Sequence, residues 1–365
     1  MALVRLTISN LRNISVLEMA PGPGVNLIIG PNGSGKTSVL EGVYLLGSQR
    51  SFRANNIRTL IKKGCDRCTV YGQTQNQKDM PAVSVGVMRD VTGGQLIKIA
   101  GERSKSAASL AQLLPLQVIN PGAFKLIEGG PKTRRQFIDW GVFHVEQSFF
   151  PCWRRLNRCL KQRNTELRHA RIDPSVISAW DRELVEYGSQ ITRYRNDYIA
   201  QLEPLFQQVL QQITKLSGIS LVFYPGWDSK ISLGEVLQGS LSRDQSLGYT
   251  RYGPHRADLR IRSTGQNADQ ALSRGEQKMV ITALKIAQGN FLYAATGRKC
   301  IYLVDDLAAE LDEAHKDGIF RLLSGLGNQV FVTAVDENAL DYAGLKEMVA
   351  LFHVEQGQLT MNSRI

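Results

Sequence analysis

The chain has 365 residues, and its 44 Lys and Arg outnumber its 33 Asp and Glu, giving a formal net charge of +11 and a pI near 9.5. So basic a chain favours polyanionic partners such as nucleic acid or anionic lipid. No apolar run is long enough to span a membrane, the first residues lack the pattern of a secretion signal, and the cysteines are few. These features exclude a membrane-spanning or disulfide-rich secreted protein and predict a cytoplasmic one.

Residues 30–38, Gly-Pro-Asn-Gly-Ser-Gly-Lys-Thr-Ser, fill every position of the phosphate-binding loop pattern. An apolar run at 25–29 precedes them and apolar residues at helical spacing follow, so a strand, a glycine turn and a helix start are predicted in the order that a triphosphate site requires. We expect Lys36 to reach the β- and γ-phosphates and Thr37 to hold Mg²⁺. The predicted nucleotide-binding residues are Gly30, Pro31, Asn32, Gly33, Ser34, Gly35, Lys36, Thr37 and Ser38.

A second part of such a site follows residue 300. Residues 301–304 are apolar and predict a buried strand, which ends in Asp305 and Asp306. A strand that ends in two carboxylates has the form of a Walker B element. We predict that Asp305 binds Mg²⁺ through water and that Asp306 polarises the attacking water, so that Lys36, Asp305 and Asp306 are the catalytic candidates.

A helical pattern begins at Ser273, and Glu276 stands three residues later, where the partner of a capping box would stand. Residues 271–278 resemble the LSGGQ-type signature of the ABC ATPases, and residues 307–312 resemble the D-loop that follows Walker B in that family. The order of these motifs is that of the SMC-type branch. The resemblance implies that one copy of the chain contacts the nucleotide of a second copy through Ser273, Arg274, Gly275, Glu276 and Asp312.

Further stretches resemble the RecF proteins, a family within this branch. They are residues 5–13, 48–53, 129–139, 161–164 and 253–259, of which the third and the last are the most particular. The resemblance implies an α/β fold, with an ABC/SMC-type P-loop ATPase head formed by residues 1–120 and 250–365. Long amphipathic patterns between 121 and 249 predict an inserted, mainly helical arm domain, which contains a helical hairpin broken near Asp173 and Pro174.

The same resemblance implies a function. RecF proteins are bacterial ATPases that bind DNA and act with RecO and RecR in recombinational gap repair, where they help to load RecA and support the SOS response. We therefore expect an ATP- and Mg²⁺-dependent homodimer, with a nucleoid-associated location in the cytoplasm. By resemblance, Gln117 is the candidate for the glutamine that senses Mg²⁺ and the γ-phosphate.

Two replacements set the chain apart from most ABC ATPases. Asp306 stands where they carry a catalytic glutamate, and Thr333 and Ala334 stand where they carry a switch histidine. A carboxylate that is one methylene shorter lies farther from the attacking water, and small misplacements lower rates steeply. We therefore expect slow hydrolysis, suited to a timed clamp on DNA.

Basic residues are concentrated in two blocks. Residues 1–120 hold 14 basic and 6 acidic side chains, and residues 132–171 hold 10 and 3. Contacts to DNA phosphates that do not depend on base sequence would use such surfaces. The candidate DNA-binding residues are Arg50, Arg53, Arg58, Lys62 and Lys63 in the first block, and Arg154, Arg158 and Lys161 on a predicted helix whose apolar stripe would be Trp153, Leu156, Leu160 and Leu167.

Two other functions remain open at this point. One is the cytosolic ATPase subunit of a membrane transporter, against which the missing histidine, the long arm and the early basic block all argue. The other is a scaffold that a bound nucleotide stabilises and that recruits RecR or a replication clamp, which the replacement at Asp306 would allow. Turnover stimulated by DNA would distinguish the ATPase from the scaffold.

Overall fold

The computed structural model describes residues 2–54, 56–75, 81–104, 106–306, 313–325, 327–335 and 349–361. The strands are β1 (Ala2–Leu11), β2 (Ile14–Met19), β3 (Val25–Ile29), β4 (Arg67–Gln75), β5 (Val83–Asp90), β6 (Gln95–Ile99), β7 (Glu102–Ser104), β8 (Leu116–Ile119), β9 (Ile219–Tyr224), β10 (Asp258–Ser263), β11 (Gln266–Asn267), β12 (Ile301–Val304), β13 (Gln329–Ala334), β14 (Val349–Glu355) and β15 (Gln358–Met361). The helices are α1 (Lys36–Ser48), α2 (Ala107–Leu113), α3 (Pro131–Val145), α4 (Phe149–Glu166), α5 (Pro174–Ile213), α6 (Leu233–Leu247), α7 (Ala268–Ala271), α8 (Arg274–Thr296) and α9 (Glu313–Gly325).

The chain forms two compact units. The first comprises Met1–Ala123, Gln212–Thr214 and Thr282–Ile365, and the second comprises Phe124–Gln211 and Lys215–Ile281. Within the residues that the structure describes, no helix has both the length and the apolar composition that crossing a bilayer requires.

The first unit is built on two six-stranded sheets. One has the order β15-β14-β3-β13-β12-β8, in which all strands but β15 run parallel. β3, β12 and β13 are buried along their whole length, as their mainly apolar sequences predict. Because the carboxyl ends of parallel strands meet at one edge, the residues that follow β3, β8 and β12 come together there.

The second sheet of this unit is antiparallel and has the order β2-β1-β4-β5-β6-β7. Helix α1 contacts strands of both sheets, and its apolar residues join a hydrophobic core to which both contribute. The helix approaches β1 so closely that a Cβ atom at Gly42 would lie 2.5 Å from Cδ1 of Ile8. A side chain at this position would therefore require Ile8 to move within the core.

The second unit contains the predicted helical hairpin, formed by α4 and α5. The helices run antiparallel, since the contacts of Cys152 with Tyr187, Cys159 with Glu183 and Arg163 with Asp181 proceed in opposite directions along the chain. α5 begins at Pro174, where the predicted break lies. Proline fits a first helical position because the amide hydrogen that it lacks would have no partner there.

The buried stripe of α4 differs from the predicted one. Leu156 and Leu167 are buried as predicted, but Trp153 is 37% exposed and Leu160 only half-buried. The other inward positions are Phe149, Cys152, Cys159 and Arg163. Arg163 is fully buried and binds Asp181 at 2.5 Å and Asp244 at 2.8 Å. The apolar pattern misplaced the stripe because a paired arginine occupies the centre of this face.

The boundary expected at residue 250 is corrected by the contacts, which place residues 250–281 in the second unit. The reason is strand pairing: β10 pairs with β9 from Asp258↔Tyr224 to Ser263↔Ile219 and joins β11 in a three-stranded sheet. The two most particular stretches of the sequence also meet in this unit. Arg134 forms a two-pronged ion pair with Asp258, and Arg195 joins Asp139 to the carbonyl of Pro254.

Candidate nucleotide-binding site

The phosphate-loop motif folds as predicted, between the end of β3 and the start of α1. Gly33 and Gly35 have φ values of 82° and 121°, which side chains other than glycine rarely allow. Lys36 is buried beneath the loop, and its ammonium group donates hydrogen bonds to the carbonyls of Gly30 at 2.7 Å and Pro31 at 3.1 Å. The turn and the lysine therefore have the form that a phosphate group requires.

Thr37 and Asp305 lie in direct contact at the carboxyl edge of the parallel sheet. The hydroxyl of Thr37 donates to Oδ1 of Asp305 at 3.0 Å, and the hydroxyl of Thr333 donates to the same oxygen at 2.9 Å. Thr333 also accepts a hydrogen bond from the amide of Asp306 at 3.0 Å. No contact was predicted for Thr333, yet its hydroxyl binds the carboxylate of Asp305 and the backbone amide of Asp306.

The charges of the site influence one another. Burial raises the pKa of Asp305 above its ordinary value, whereas hydrogen bonds from Thr333 and Thr37 lower it. Burial lowers the pKa of Lys36, and the negative charges of Asp306 and Asp305 oppose that shift. Asp306 adopts a left-handed backbone conformation with φ of 53°, which is uncommon for a residue other than glycine.

Lys36, Thr37 and Asp306 line one cavity of about 570 Å³. Two of its residues precede the loop in sequence: Asn13 donates to the carbonyl of Ser34 at 3.1 Å and accepts from the hydroxyl of Ser38 at 2.9 Å. Arg12 forms a two-pronged ion pair with the fully buried Glu41, at 2.8 and 2.9 Å. The cavity is lined by Arg12, Asn13, Asn32, Gly33, Gly35, Lys36, Thr37, Ser38, Arg53, Thr59, Ile61, Lys63 and Asp306.

Arg12, Asn13 and Glu41 were not predicted from the sequence as parts of this site. Arg12 and Asn13 lie in a stretch quoted for the RecF resemblance, and Glu41 is a charged residue on an apolar helix, which is the signal that could have revealed it. Glu41 also accepts a hydrogen bond from Ser51, whose hydroxyl in turn accepts from the amides of Arg53 and Ala54. The segment that carries Arg53 is thus anchored to α1.

The first basic block divides between the cavity and the outer surface. Arg53 and Lys63, predicted to bind DNA, line the nucleotide cavity, and the positive charge of Arg53 lowers the pKa of Asp305. Arg50 and Arg58 are exposed, and Lys62 contacts the hydroxyl of Ser15. In the second block, Arg154, Arg158 and Lys161 are all exposed on α4.

The signature-like residues lie in the second unit, at the start of α8. Ser273 and Glu276 form the predicted capping box: the amide and hydroxyl of Ser273 each donate to Glu276 at 2.8 Å, and the amide of Glu276 donates back at 3.3 Å. Ser273, Arg274 and Gly275 are exposed. Asp312 and the rest of the proposed D-loop lie outside the described residues.

Gln117 does not reach the cavity, so its assignment as the sensing glutamine is corrected. It pairs with Tyr302 in the body of the sheet, is buried, and donates to Gln288 at 3.0 Å. The carboxyl edge of β8 is reached only after Ile119, which pairs with Val304. Asn120 therefore occupies the position next to Asp305 that Gln117 was expected to fill.

The residues fit a triphosphate and a divalent cation. The hydroxyl of Ser34 is buried and forms no hydrogen bond with any residue that the structure describes, so a donor is available in the loop. The hydroxyl of Thr37 and the carboxylate of Asp305 are hard oxygen donors already in contact, which is the ligand chemistry that Mg²⁺ prefers.

Comparison with known proteins decides the family. A family model described as RecF/RecN/SMC N terminal domain matches residues 2–360. The DNA replication and repair protein RecF of Azotobacter vinelandii is 52% identical over 361 residues, which are 99% of this chain and 98% of that protein. The corresponding protein of Pseudomonas aeruginosa strain LESB58 is 47% identical over 366 residues, 100% of this chain and 99% of that protein. The chain belongs to the RecF family.

Solved structures agree with this assignment to the RecF family. The structure of the recombination mediator protein RecF-ATP in the RecFOR pathway has a TM-score of 0.88 and 25% identity, and covers 99% of this chain and 97% of that one. An Smc head bound to the C-winged helix domain of ScpA, at 14% identity and a TM-score of 0.60, covers 99% and 98% and shares the fold. The predicted ABC/SMC-type P-loop ATPase fold and the RecF resemblance are therefore confirmed.

Proposed function

We propose that the protein is an ATP-dependent DNA-binding ATPase of recombinational gap repair, replication and the SOS response. ATP binding would close two heads on DNA, and slow hydrolysis would release them. The observation that carries this proposal is the cavity lined by the phosphate loop, Thr37 and Asp306, with Asp305 hydrogen-bonded directly to Thr37. The relatives named as DNA replication and repair proteins, and the RecF structure described with ATP, support it.

In the proposed reaction, Lys36 exchanges its contacts with the loop carbonyls for the β- and γ-phosphates of ATP. Thr37 and Asp305 would hold Mg²⁺, which supplies charge neutralisation between the β- and γ-phosphates. Asp306 accepts a proton as water attacks the γ-phosphorus and the bond to the bridging oxygen of ADP breaks. Thr333 fixes the carboxylate of Asp305 and the backbone of Asp306, and the short side chain of Asp306 keeps turnover slow.

The second copy of the chain would complete the site. The exposed hydroxyl of Ser273 and the start of α8 form a helix N-terminus with a partial positive charge, which suits the γ-phosphate of the partner's nucleotide. On this proposal, ATP is shared by two heads, and dimer formation depends on it. A nucleotide-dependent dimer is a two-state element whose balance hydrolysis shifts.

DNA binding is assigned to the exposed basic residues of both units, with Arg50 and Arg58 in the first and Arg154, Arg158 and Lys161 in the second. Contacts to phosphates would dominate, so affinity should fall steeply with salt and depend little on base sequence. By family membership, RecO and RecR are the proposed partners, and delivery of RecA to gapped DNA is the proposed outcome.

The test combines gel filtration with a titration of single-stranded, blunt duplex and gapped DNA over a salt series. The wild type should dimerise and bind DNA only with ATP. Lys36→Met should lose ATP binding and the dimer, whereas Asp306→Asn should keep both and stop turnover. An ATP-induced dimer of the Lys36→Met protein would contradict the proposed site. If DNA stimulates no turnover while ATP still supports binding to RecR or a replication clamp, the protein is a scaffold.

A further inference from the structure

Five aromatic rings form a continuous chain across α3 and the start of α4. Trp140 contacts His144 at 4.5 Å between ring centroids, His144 contacts Phe143 at 5.0 Å, and Phe143 contacts Phe150 at 5.7 Å. Phe150 then stacks against Trp153 at 6.3 Å, with the ring planes only 13° apart. His144 is buried and Trp153 is exposed, so this series of rings connects the interior to an indole at the surface.

The exposure of Trp153 has no explanation in the folding of the unit. Other side chains fill the inward face of α4, and the side chain of Trp153 remains 37% exposed. Large aromatic side chains left at the surface in a fixed position are typical of binding sites. The edge-to-face contact of Phe143 with Phe150 fixes the orientation of Phe150, against which Trp153 stacks. The exposed face of Trp153 is therefore held in one orientation and is open to a planar group.

The outward face of the same helix is basic. Phe150, Arg154, Arg158 and Lys161 follow one another at spacings of four, four and three residues, which places them along one stripe of α4. At a rise of about 1.5 Å per residue the stripe extends for roughly 16 Å from the aromatic pair. The neighbouring outward positions Pro151, Asn157, Gln162 and Thr165 add no acidic group.

The other cation near the pair is already engaged. Arg155 donates to the hydroxyl of Tyr187 at 2.8 Å and lies over its ring, 5.5 Å from the centroid. On the inward face of α4, Glu183 accepts from the thiol of Cys159 and Asp181 binds Arg163. The negative charges of Glu186 and Glu183 also interact with Arg155. The acidic residue of α4, Glu166, contacts His169 and the amide of Asp173. The stripe of Arg154, Arg158 and Lys161 therefore presents positive charge beside an aromatic surface.

We propose that Phe150 and Trp153 form a stacking platform for unpaired bases, and that Arg154, Arg158 and Lys161 guide the phosphates of the same single strand. This proposal rests on the proposed DNA-binding function and adds a site that distinguishes single-stranded from duplex DNA. Aromatic faces beside a basic groove are how proteins hold single strands without reading their sequence, since every base has a π-face. Bases in a duplex already stack on each other and cannot use the platform. An exposed indole also suits a protein partner, and the co-elution measurement below tests that alternative.

The experiment compares duplexes that carry a single-stranded tail of thymidylate or of abasic sites, with the full chain and ATP present. Both tails have the same phosphates, so the ratio of the two affinities measures stacking alone. The wild type should prefer the thymidylate tail, and Trp153→Ala should weaken binding to it about tenfold while leaving the abasic tail unchanged. Trp153→Phe keeps an aromatic face and should keep most of the preference. Arg154→Ala should weaken both tails equally.

Tyr293→Ala is the matched control, because Tyr293 is an aromatic residue that is 40% exposed in the first unit. It should bind both tails as the wild type does. If Trp153→Ala keeps the wild-type ratio while the abasic and blunt DNAs still bind, the platform is refuted and DNA binding stands. If Trp153→Ala instead loses co-elution with RecR at an unchanged ratio, the surface is a protein-docking site and the proposal is wrong. If the wild type binds none of the DNAs, the proposed function itself fails.

Discussion

Thr37 and Asp305 share a hydrogen bond of 3.0 Å although 268 positions separate them in the sequence. The contact joins the first turn of α1 to the residue that follows β12, and so closes the phosphate loop onto the Walker B carboxylate. Thr333 donates to the same carboxylate oxygen from β13, the strand between β3 and β12. Three strands of the parallel sheet thus converge on one oxygen atom, and the site's geometry follows from the order of those strands.

Thr333 is predicted to be a positioning residue for hydrolysis. Thr333→Val removes the donor to Asp305 and leaves the amide of Asp306 without its acceptor. We expect kcat to fall about tenfold to a hundredfold, because small displacements of catalytic groups are costly, while the affinity for ATP changes little. Steady-state turnover and equilibrium nucleotide binding measure the two quantities separately.

The pH profile gives this prediction a second measure. The hydrogen bond from Thr333 lowers the pKa of Asp305, so its loss should move the acid limb of Mg²⁺-dependent turnover to higher pH. Thr333→Ser keeps the hydroxyl and should restore both the rate and the profile. A Thr333→Val protein with wild-type kcat would show that hydrolysis does not depend on the contacts of Thr333 with Asp305 and with the amide of Asp306.

We predict that substitution of Gln117 changes stability and that substitution of Asn120 changes turnover. Gln117→Leu loses a buried hydrogen bond to Gln288 and should lower the free energy of unfolding by about 1–3 kcal/mol without changing turnover at saturating Mg²⁺. Asn120→Ala, at the sheet edge beside Asp305, should instead slow turnover and leave the free energy of unfolding unchanged. Chemical denaturation and a Mg²⁺ titration of the rate provide the two measurements. Slower turnover in Gln117→Leu, with Asn120→Ala unaffected, would restore the original assignment.

The parts of the site that the sequence predicts correctly are contiguous in the chain. The phosphate loop, the strand ending in Asp305 and Asp306, and the capping box of Ser273 each depend on neighbours within a few residues, so local patterns suffice. Asn13, Glu41 and Thr333 act through partners that only the folded sheets bring near. The exposure of Trp153 and the burial of Arg163 likewise depend on how α4 packs against α5. No periodicity distinguishes a buried, paired arginine from a solvated one.

Glu41 is predicted to support both the stability of the first unit and its nucleotide cavity. Glu41→Ala leaves the guanidinium of Arg12 without its two-pronged partner and frees Ser51 from α1. Removing one member of a buried ion pair costs about 3–5 kcal/mol, so a loss of roughly that size is expected in chemical denaturation. ATP affinity should also fall, since Arg12 and Arg53 both line the cavity.

The matched control is Glu18→Ala. Glu18 pairs with Arg5 at 3.5 Å, but both side chains are more than half exposed, so the change should stay within about 0.5 kcal/mol and leave ATP binding intact. Equal effects of the two substitutions would show that the burial of Glu41 is irrelevant to its contribution.

His255 is predicted to make the second unit sensitive to acid. Burial lowers the pKa of His255 to about 4, and its Nε2 group contacts the carbonyl of Thr250 at 3.0 Å. The unfolded chain takes up this proton near pH 6.5, whereas the folded chain does so only near pH 4. The free energy of unfolding should therefore be independent of this group above pH 6.5 and fall by up to about 3 kcal/mol as the pH drops toward 4.

His255→Gln retains a donor for Thr250 but cannot titrate, so the free energy of unfolding, measured by urea denaturation across this range, should depend less steeply on pH. His169→Gln, which replaces an exposed histidine of the same unit, is the control, and an identical slope in the His255→Gln protein and the wild type would contradict the prediction.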